Sequence, residues 1–432
     1  MRLRLPCIGA GQKRYVFVDQ RGPNDTQSES FAGQCRKLYD EKYALAITRI
    51  PPTAHVDLVN SFVDIIKPST NARFNLSWVF GPYLNLVPQR LGRDKALDSS
   101  VKALTKAHNT FCTDQTPTKE GLTAYSEALA AIRDTMHDPN KASTSETMCA
   151  ILLVMICQSL YGAPNPESNA HLVGMETVLK VRGGRRLRDD FERELLTSVQ
   201  GATVVGGFFN PHVQVTSKDW RNILNMGRAE QGEANRLLLC LSQIRDLMYG
   251  QDQSAAEDSH FALSGEIMVH YRRLKSRRPK MRDELEKISA PFSDIPLTSS
   301  PEHVTRRVLG QAYGMLLMFL IFLNTALRAF DPNNIELVAD SDLLVQETLS
   351  NAEKFQHFRP LGDFYIEIIL STAWIGTSDP SLRARVEHLL LHADVRWSVK
   401  TNMNSLREVS ERIRTLAQRP SLIRESANWM IS

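Results

Sequence analysis

The 432-residue chain lacks the short motifs that mark many enzymes. It has no G-x-S-x-G turn for an activated serine, no Walker loop and no G-x-G-x-x-G phosphate cradle. It has no C-x-x-C pair, and its six cysteines (Cys7, Cys35, Cys112, Cys149, Cys157 and Cys240) are scattered. That spacing argues against a disulfide framework and for a reducing compartment. Cys149 and Cys157 lie in an apolar run, where a reduced cysteine packs as a small core residue. The opening residues, MRLRLPCIGAGQKRYVFVDQ, do not follow the pattern of a secretory leader, since their longest apolar run is YVFV. Period-2 alternation is scarce and no repeat of fixed length stands out, which argues against a sheet architecture and a solenoid.

Charge is also nearly absent as a net quantity. Lys+Arg number 52 and Asp+Glu 48, a net of +4. Arg2, Arg4, Lys13, Arg14 and Arg21 stand against Asp19 alone, so residues 1–21 account for the whole excess. A small basic tail on a neutral body differs from a uniformly basic chain built to bind polyanions everywhere. The hydrophobic fraction of 42% is ordinary for a globular protein with a sizeable core.

What is present is helical periodicity. Residues 20–45 are polar and turn-rich and read as a linker, so the expected division is a basic tail and linker over 1–45 and a helical body over 46–432. Val101, Leu104, His108 and Phe111 recur at three to four residues, behind Asp98 or Ser99 as cap. Leu122, Tyr125, Leu129, Ile132 and Met136 mark one face of the next helix. Ser143 and Glu146 have the spacing of a capping box, opening an all-round apolar helix that ends at Gly162. Further helices are expected at 171–182, 190–205, 219–227, 230–249, 260–275, 302–330, 340–357, 361–375, 380–398 and 402–417, with polar loops near 250–259 and 289–301. The fold class is all-α. Residues 308–327 carry no charge and reach the length of a membrane span, but Gln311 and Asn324 inside them favour a buried core helix, and no membrane partner is expected.

Four clusters carry possible chemistry. Asp189, Asp190 and Glu194 in DDFERE are similar to the Mg2+-binding acids of terpene cyclases, which makes an all-α enzyme the alternative reading. Acids in a first helical turn, favoured by the helix dipole, are the simpler explanation, and 222–230 offers no clean second cluster. His388 and His392 are four apart, but Leu389 stands where a zinc protease needs its glutamate. Gly183–Gly184 and Gly206–Gly207 read as helix stops. Arg272, Arg273, Lys275, Arg277, Arg278, Lys280 and Arg282 form a nuclear-import candidate, countered by Asp283, Glu284 and Glu286 as in a charge-balanced face.

Two stretches read together give a resemblance. LDSSVKALTKAHNTFC, TAYSEALAAIRDTM and SETMCAILLVMICQSLYG are followed by HLVGMETVLKVRGGRRLRDDFERELLTSVQGATVVGGFFN, with His171, Gly174, Leu179, Arg182 and Gly183 in order. The series resembles the fungal-specific regulatory (middle homology) region of binuclear zinc-cluster transcription factors, particularly those tied to specialised-metabolite gene clusters. The resemblance implies a nuclear, non-enzymatic transcription regulator. In the full-length family DNA is the partner and zinc the cofactor, and other regulators or a homodimer are further partners. It also implies that Cys7 is the last of six zinc ligands, with the other five absent. One thiolate cannot hold the two ions, so this chain is expected to bind no zinc and to lack a complete DNA-binding domain. Arg2, Arg4, Lys13 and Arg14 are then expected to make weak, salt-sensitive phosphate contacts.

Overall fold

The computed structural model describes residues 53–66, 74–113, 116–162, 168–183, 185, 187–224, 232–249, 257–288, 301–358, 361, 365–391 and 403–417. These lie in the compact unit Ala54–Ser432, apart from Thr53. Cys7, Arg2, Arg4, Lys13, Arg14, the 20–45 linker, Gly184 and His392 lie outside the described residues.

The described residues form fifteen α-helices and no strand. The first seven are α1 (Ala54–Ile66), α2 (Leu76–Phe80), α3 (Lys95–Cys112), α4 (Lys119–Met136), α5 (Ser145–Tyr161), α6 (Ser168–Arg182) and α7 (Asp190–Phe209), with a 3-10 helix at Pro82–Arg90. The rest are α8 (Ser217–Leu224), α9 (Glu233–Tyr249), α10 (Glu257–Ile288), α11 (Pro301–Phe330), α12 (Ile335–Phe355), α13 (Ile366–Gly376), α14 (Pro380–Leu391) and α15 (Met403–Ala417). The fold class is therefore the all-α one expected.

Helices α3, α4 and α5 pack on one another as the first layer. The caps differ from those the sequence suggested. Asp94, not Asp98 or Ser99, starts α3 by accepting the Leu97 N–H at 2.9 Å. Thr144 caps α5, accepting the Thr147 N–H at 3.2 Å, while Ser143 is buried and accepts from Arg185. Glu146 pairs with Arg90 and so closes no capping box on Ser143. The face of α4 is shifted by one residue. Gly121, Ala124, Ala128, Ala131 and Thr135 are buried, whereas Leu122 is exposed and the larger side chains lie along the flanks. Small residues on the contact face let the helices approach closely, and this preference outweighs side-chain size.

Helix α11 organises the second half. Among the described residues it is the one helix long and apolar enough to cross a membrane. In this fold α10, α12, α13 and α15 pack on it, and Leu317, Met318, Leu320, Ile321 and Leu323 are almost wholly buried. The polar residue within its apolar run has a role: Asn324 donates to the Leu337 carbonyl at 2.9 Å. The two halves meet where Phe208 of α7 stacks on Phe322 of α11, ring centres 4.5 Å apart. They also meet where Arg307, 1% exposed, donates to the Trp78 carbonyl and lies over the Trp78 ring. Burial pushes the Arg307 guanidinium down to about 10. Arg328 reaches the end of α13, donating to the Gly376 carbonyl at 2.8 Å, a cation on the negative end of the helix dipole.

Two other boundaries move. Gly206 and Gly207 do not stop a helix, because they lie inside α7. A Cβ on Gly207 would stand 3.1 Å from Arg245 Nε, which donates to the Gly207 carbonyl at 2.9 Å, so the glycine admits the arginine. Helix α10 runs through Pro279 to Ile288 instead of ending near 275. Proline removes one helical N–H, but Pro279 is exposed and the residues around it are tied to neighbouring helices.

The closest packing gives a test. A Cβ on Gly310 would lie 1.9 Å from Phe355 Cζ, a ring 1% exposed and stacked on Phe358. Gly310→Ala should therefore destabilise the fold by about 1–3 kcal/mol or more. Gly265, exposed in α10 with nothing near its Cβ position, should gain up to about 1 kcal/mol as Gly265→Ala. Urea unfolding of both variants checks the pair, and equal effects would contradict this packing.

Candidate functional site

The segment from His171 to Glu194 folds as most of one helix, a turn and the start of the next. Its apolar positions enter the core: Met175, Val178, Leu179, Phe191, Leu195 and Leu196 are each 3% exposed or less. Its polar positions converge on the α6–α7 turn.

At the centre is a buried ion pair. Arg182 closes α6 and Glu192 lies in the first turn of α7, and they are 3% and 2% exposed. Arg182 Nη2 is 2.6 Å from Glu192 Oε1. The second oxygen, Glu192 Oε2, accepts the backbone N–H of Arg188, so both ends of the carboxylate are engaged and the turn is pinned. Burial pulls the Arg182 guanidinium below its usual value, and the Glu192 carboxylate opposes that shift.

A second tier surrounds it. Asp189 caps α7 by accepting the Glu192 N–H at 3.0 Å and also receives Arg90. Partial burial pushes its carboxyl up, but the Glu192 N–H and Arg90 outweigh burial and hold it below the usual range. Arg90 also meets Glu146 at 3.2 Å and lies 4.9 Å from the centre of the Phe191 ring. One guanidinium thus joins the 3-10 helix, the start of α5 and the start of α7. Arg185 donates to buried Ser143 at 2.7 Å, tying the turn to the loop before α5. At the other edge, Lys180 meets Glu176 at 2.6 Å and the Gln214 carbonyl at 2.8 Å, which fixes α6 to the segment leading into α8. His171 Nε2 lies 3.3 Å from the Tyr125 hydroxyl on α4.

The DDFERE acids therefore do not form a metal cradle. Asp189 is committed to Arg90 and a cap, and Asp190 pairs with Arg193 at 2.7 Å on the exposed side. Glu194 lies two residues beyond Glu192, and the buried acid at the centre of the turn is Glu192, not one of Asp189, Asp190 and Glu194. Its signal was available: Arg182 ends one helix and Glu192 opens the next. Among the described residues no group of three or more His, Cys, Asp or Glu side chains could hold a metal ion. The described cysteines are dispersed too, and burial pushes the thiols of Cys149, Cys157 and Cys240 far up and that of Cys112 up to about 11. Cys7, the cysteine that the resemblance gives to zinc, lies outside the described residues. His388 lies on α14, and its companion His392 is outside the described residues.

The 272–282 basic run lies on α10 and divides by face. Lys275 meets Glu336 at 3.2 Å and also Asp340, Arg278 is 3.8 Å from Glu347, and Arg282 is 3.4 Å from Glu347. These acids belong to α12, so the balance comes mainly from another helix and only in part from Asp283. Arg273 and Arg277 share Glu233 of α9, and Arg272 and Lys280 are exposed.

Compared with known proteins, the chain is matched over residues 58–424 by the family model described as the fungal specific transcription factor domain. No curated protein and no solved structure matches it.

The central pair can be tested by a mutant cycle. Arg182→Met leaves the Glu192 carboxylate buried without its cation and should cost roughly 3–5 kcal/mol. Adding Glu192→Gln removes the stranded charge and keeps an acceptor for the Arg188 N–H, so at least part of the loss should return. Chemical unfolding of the four proteins checks this, and additive single effects would contradict the pairing.

Proposed function

The chain belongs to the fungal specific transcription factor domain family, and from that premise we propose that its helical body is the regulatory module of a nuclear transcription regulator. The observation that supports this most is the extent of the match: residues 58–424 take in almost every described helix, from α1 to α15. The body acts by contacts that change transcription, not by catalysis. In the full-length family the partner is promoter DNA, reached through a zinc cluster; Cys7 alone cannot build that cluster, so the partners proposed for this chain are other regulators or a second copy. A specialised-metabolite gene cluster is the proposed target.

The α6–α7 turn fits a regulatory body. Its carboxylates and guanidinium groups are fixed acceptors and donors for one another, and Lys180 reaches Asp219 at 3.6 Å, so the junction holds α5, α6, α7 and α8 in one geometry. Such a body transmits a contact on its surface as a change in shared packing, because close-packed interiors are stiff.

A tethering assay tests the proposal. The full chain fused to an unrelated DNA-binding domain should raise or lower a reporter carrying that domain's sites, by several-fold. Arg182→Met should weaken the effect through loss of the fold, while exposed Lys102→Gln should leave it intact. A folded, expressed fusion that changes neither an activated nor a basal reporter would contradict the proposal.

A further inference from the structure

The two faces of the basic run differ in what they meet. On the inner face, Lys275, Arg278 and Arg282 stand against Glu336, Asp340 and Glu347 of α12, three cations against three acids. On the outer face, Arg272, Arg273, Arg277 and Lys280 have one acid among them, because Arg273 and Arg277 bind the same Glu233 carboxylate at 2.8 and 2.7 Å. The side chains of Arg273 and Arg277 remain about half exposed at 54% and 51%, and Arg272 and Lys280 are exposed with no ion-pair partner among the described residues. At 100° per residue these four cations fall within about 140° of arc. Val269 lies on the same arc, one turn before Arg272, and is 64% exposed. The strip from Val269 to Lys280 is about 16 Å long by helical rise.

We propose that this outer face of α10 is a docking strip for an acidic protein segment carrying one apolar anchor. Three of the four cations are arginines, whose planar forks suit carboxylates. The exposed valine beside them offers an apolar contact that a phosphate backbone cannot use. Acids also bound the strip: Glu266 stands before it, and Asp283 and Glu284 follow in the turn after Lys280. A nucleic-acid strand running along the helix would meet these carboxylates at both ends, whereas a short acidic peptide ends between them. Lys275, Arg278 and Arg282 are held by α12 and contribute to the fold.

The test uses the full chain and a labelled synthetic peptide of Asp and Glu residues with one central Leu, followed by fluorescence anisotropy. Arg272→Gln with Lys280→Gln removes the two unpaired cations and should weaken binding roughly three- to tenfold. Val269→Ser should weaken it about threefold, as should replacing the peptide's Leu by Ser. Binding should fall as salt rises from about 0.05 to 0.3 M. All three substituted positions are exposed, so far-UV circular dichroism and the thermal midpoint should not move. Three results would overturn the proposal. The first is peptide binding that these substitutions leave unchanged, or no peptide binding at all. The second is tight binding of duplex DNA that depends on Arg272 and Lys280 but not on Val269. The third is a dimer of the chain that Arg272→Gln with Lys280→Gln disperses, which would assign the strip to a second copy.

Discussion

A buried arginine facing a buried glutamate constrains everything around it. Arg182 and Glu192 have both been taken out of water, and each is stable there only while the other is in place. The pair is short in sequence, ten residues apart, but it sits where four helices and the 3-10 segment come together. With Arg182 at the end of α6 and Glu192 in the first turn of α7, the turn between them has little freedom. Arg90, Asp189 and Glu146 then extend the same electrostatic logic outward to α5. The apolar half of the argument runs through α11, whose side chains carry the packing of the C-terminal helices. Phe208 on Phe322 and Arg307 on Trp78 link the two.

Much of this was legible in the residues, and the errors have physical reasons. Period-3.6 patterns located the helices, since an amphipathic helix must turn one face to the core. The uncharged 308–327 stretch is a core helix, as its polar residues suggest, and Asn324 finds a carbonyl inside the bundle. The observed caps lie one to five residues from those the sequence suggests: several Ser, Thr and Asp residues compete near each helix start, and only tertiary contacts choose among them. Arg185 claims Ser143 and Arg90 claims Glu146, which leaves the cap of α5 to Thr144. On α4 the large side chains formed the obvious stripe, but the closest helix contact needed the small ones.

The site shows the same limit. His171, Gly174, Leu179, Arg182 and Gly183 form the series that carries the resemblance, and the structure gives several of them a mechanical reason. Leu179 is in the core, Arg182 is the buried cation and His171 reaches Tyr125. Glu192 is hard to single out in the sequence because the paired aspartates before it look more like chemistry. Their partners, Arg90 and Arg193, lie 99 and three residues away, and sequence spacing reveals only the second. In the sequence the basic run of α10 reads as one patch. Its division into a face held by α12 and a face left to solvent depends on which helix packs beside it.

The claim that joins these parts is that the helical body serves transcription. The most direct measurement is transcript profiling at short times after the chain is rapidly depleted from its own cells. A regulator should leave a small, coherent set of transcripts shifted in one direction within the first hour or so, before secondary changes accumulate. An unchanged transcript population, with depletion verified and the chain present beforehand, would contradict the account.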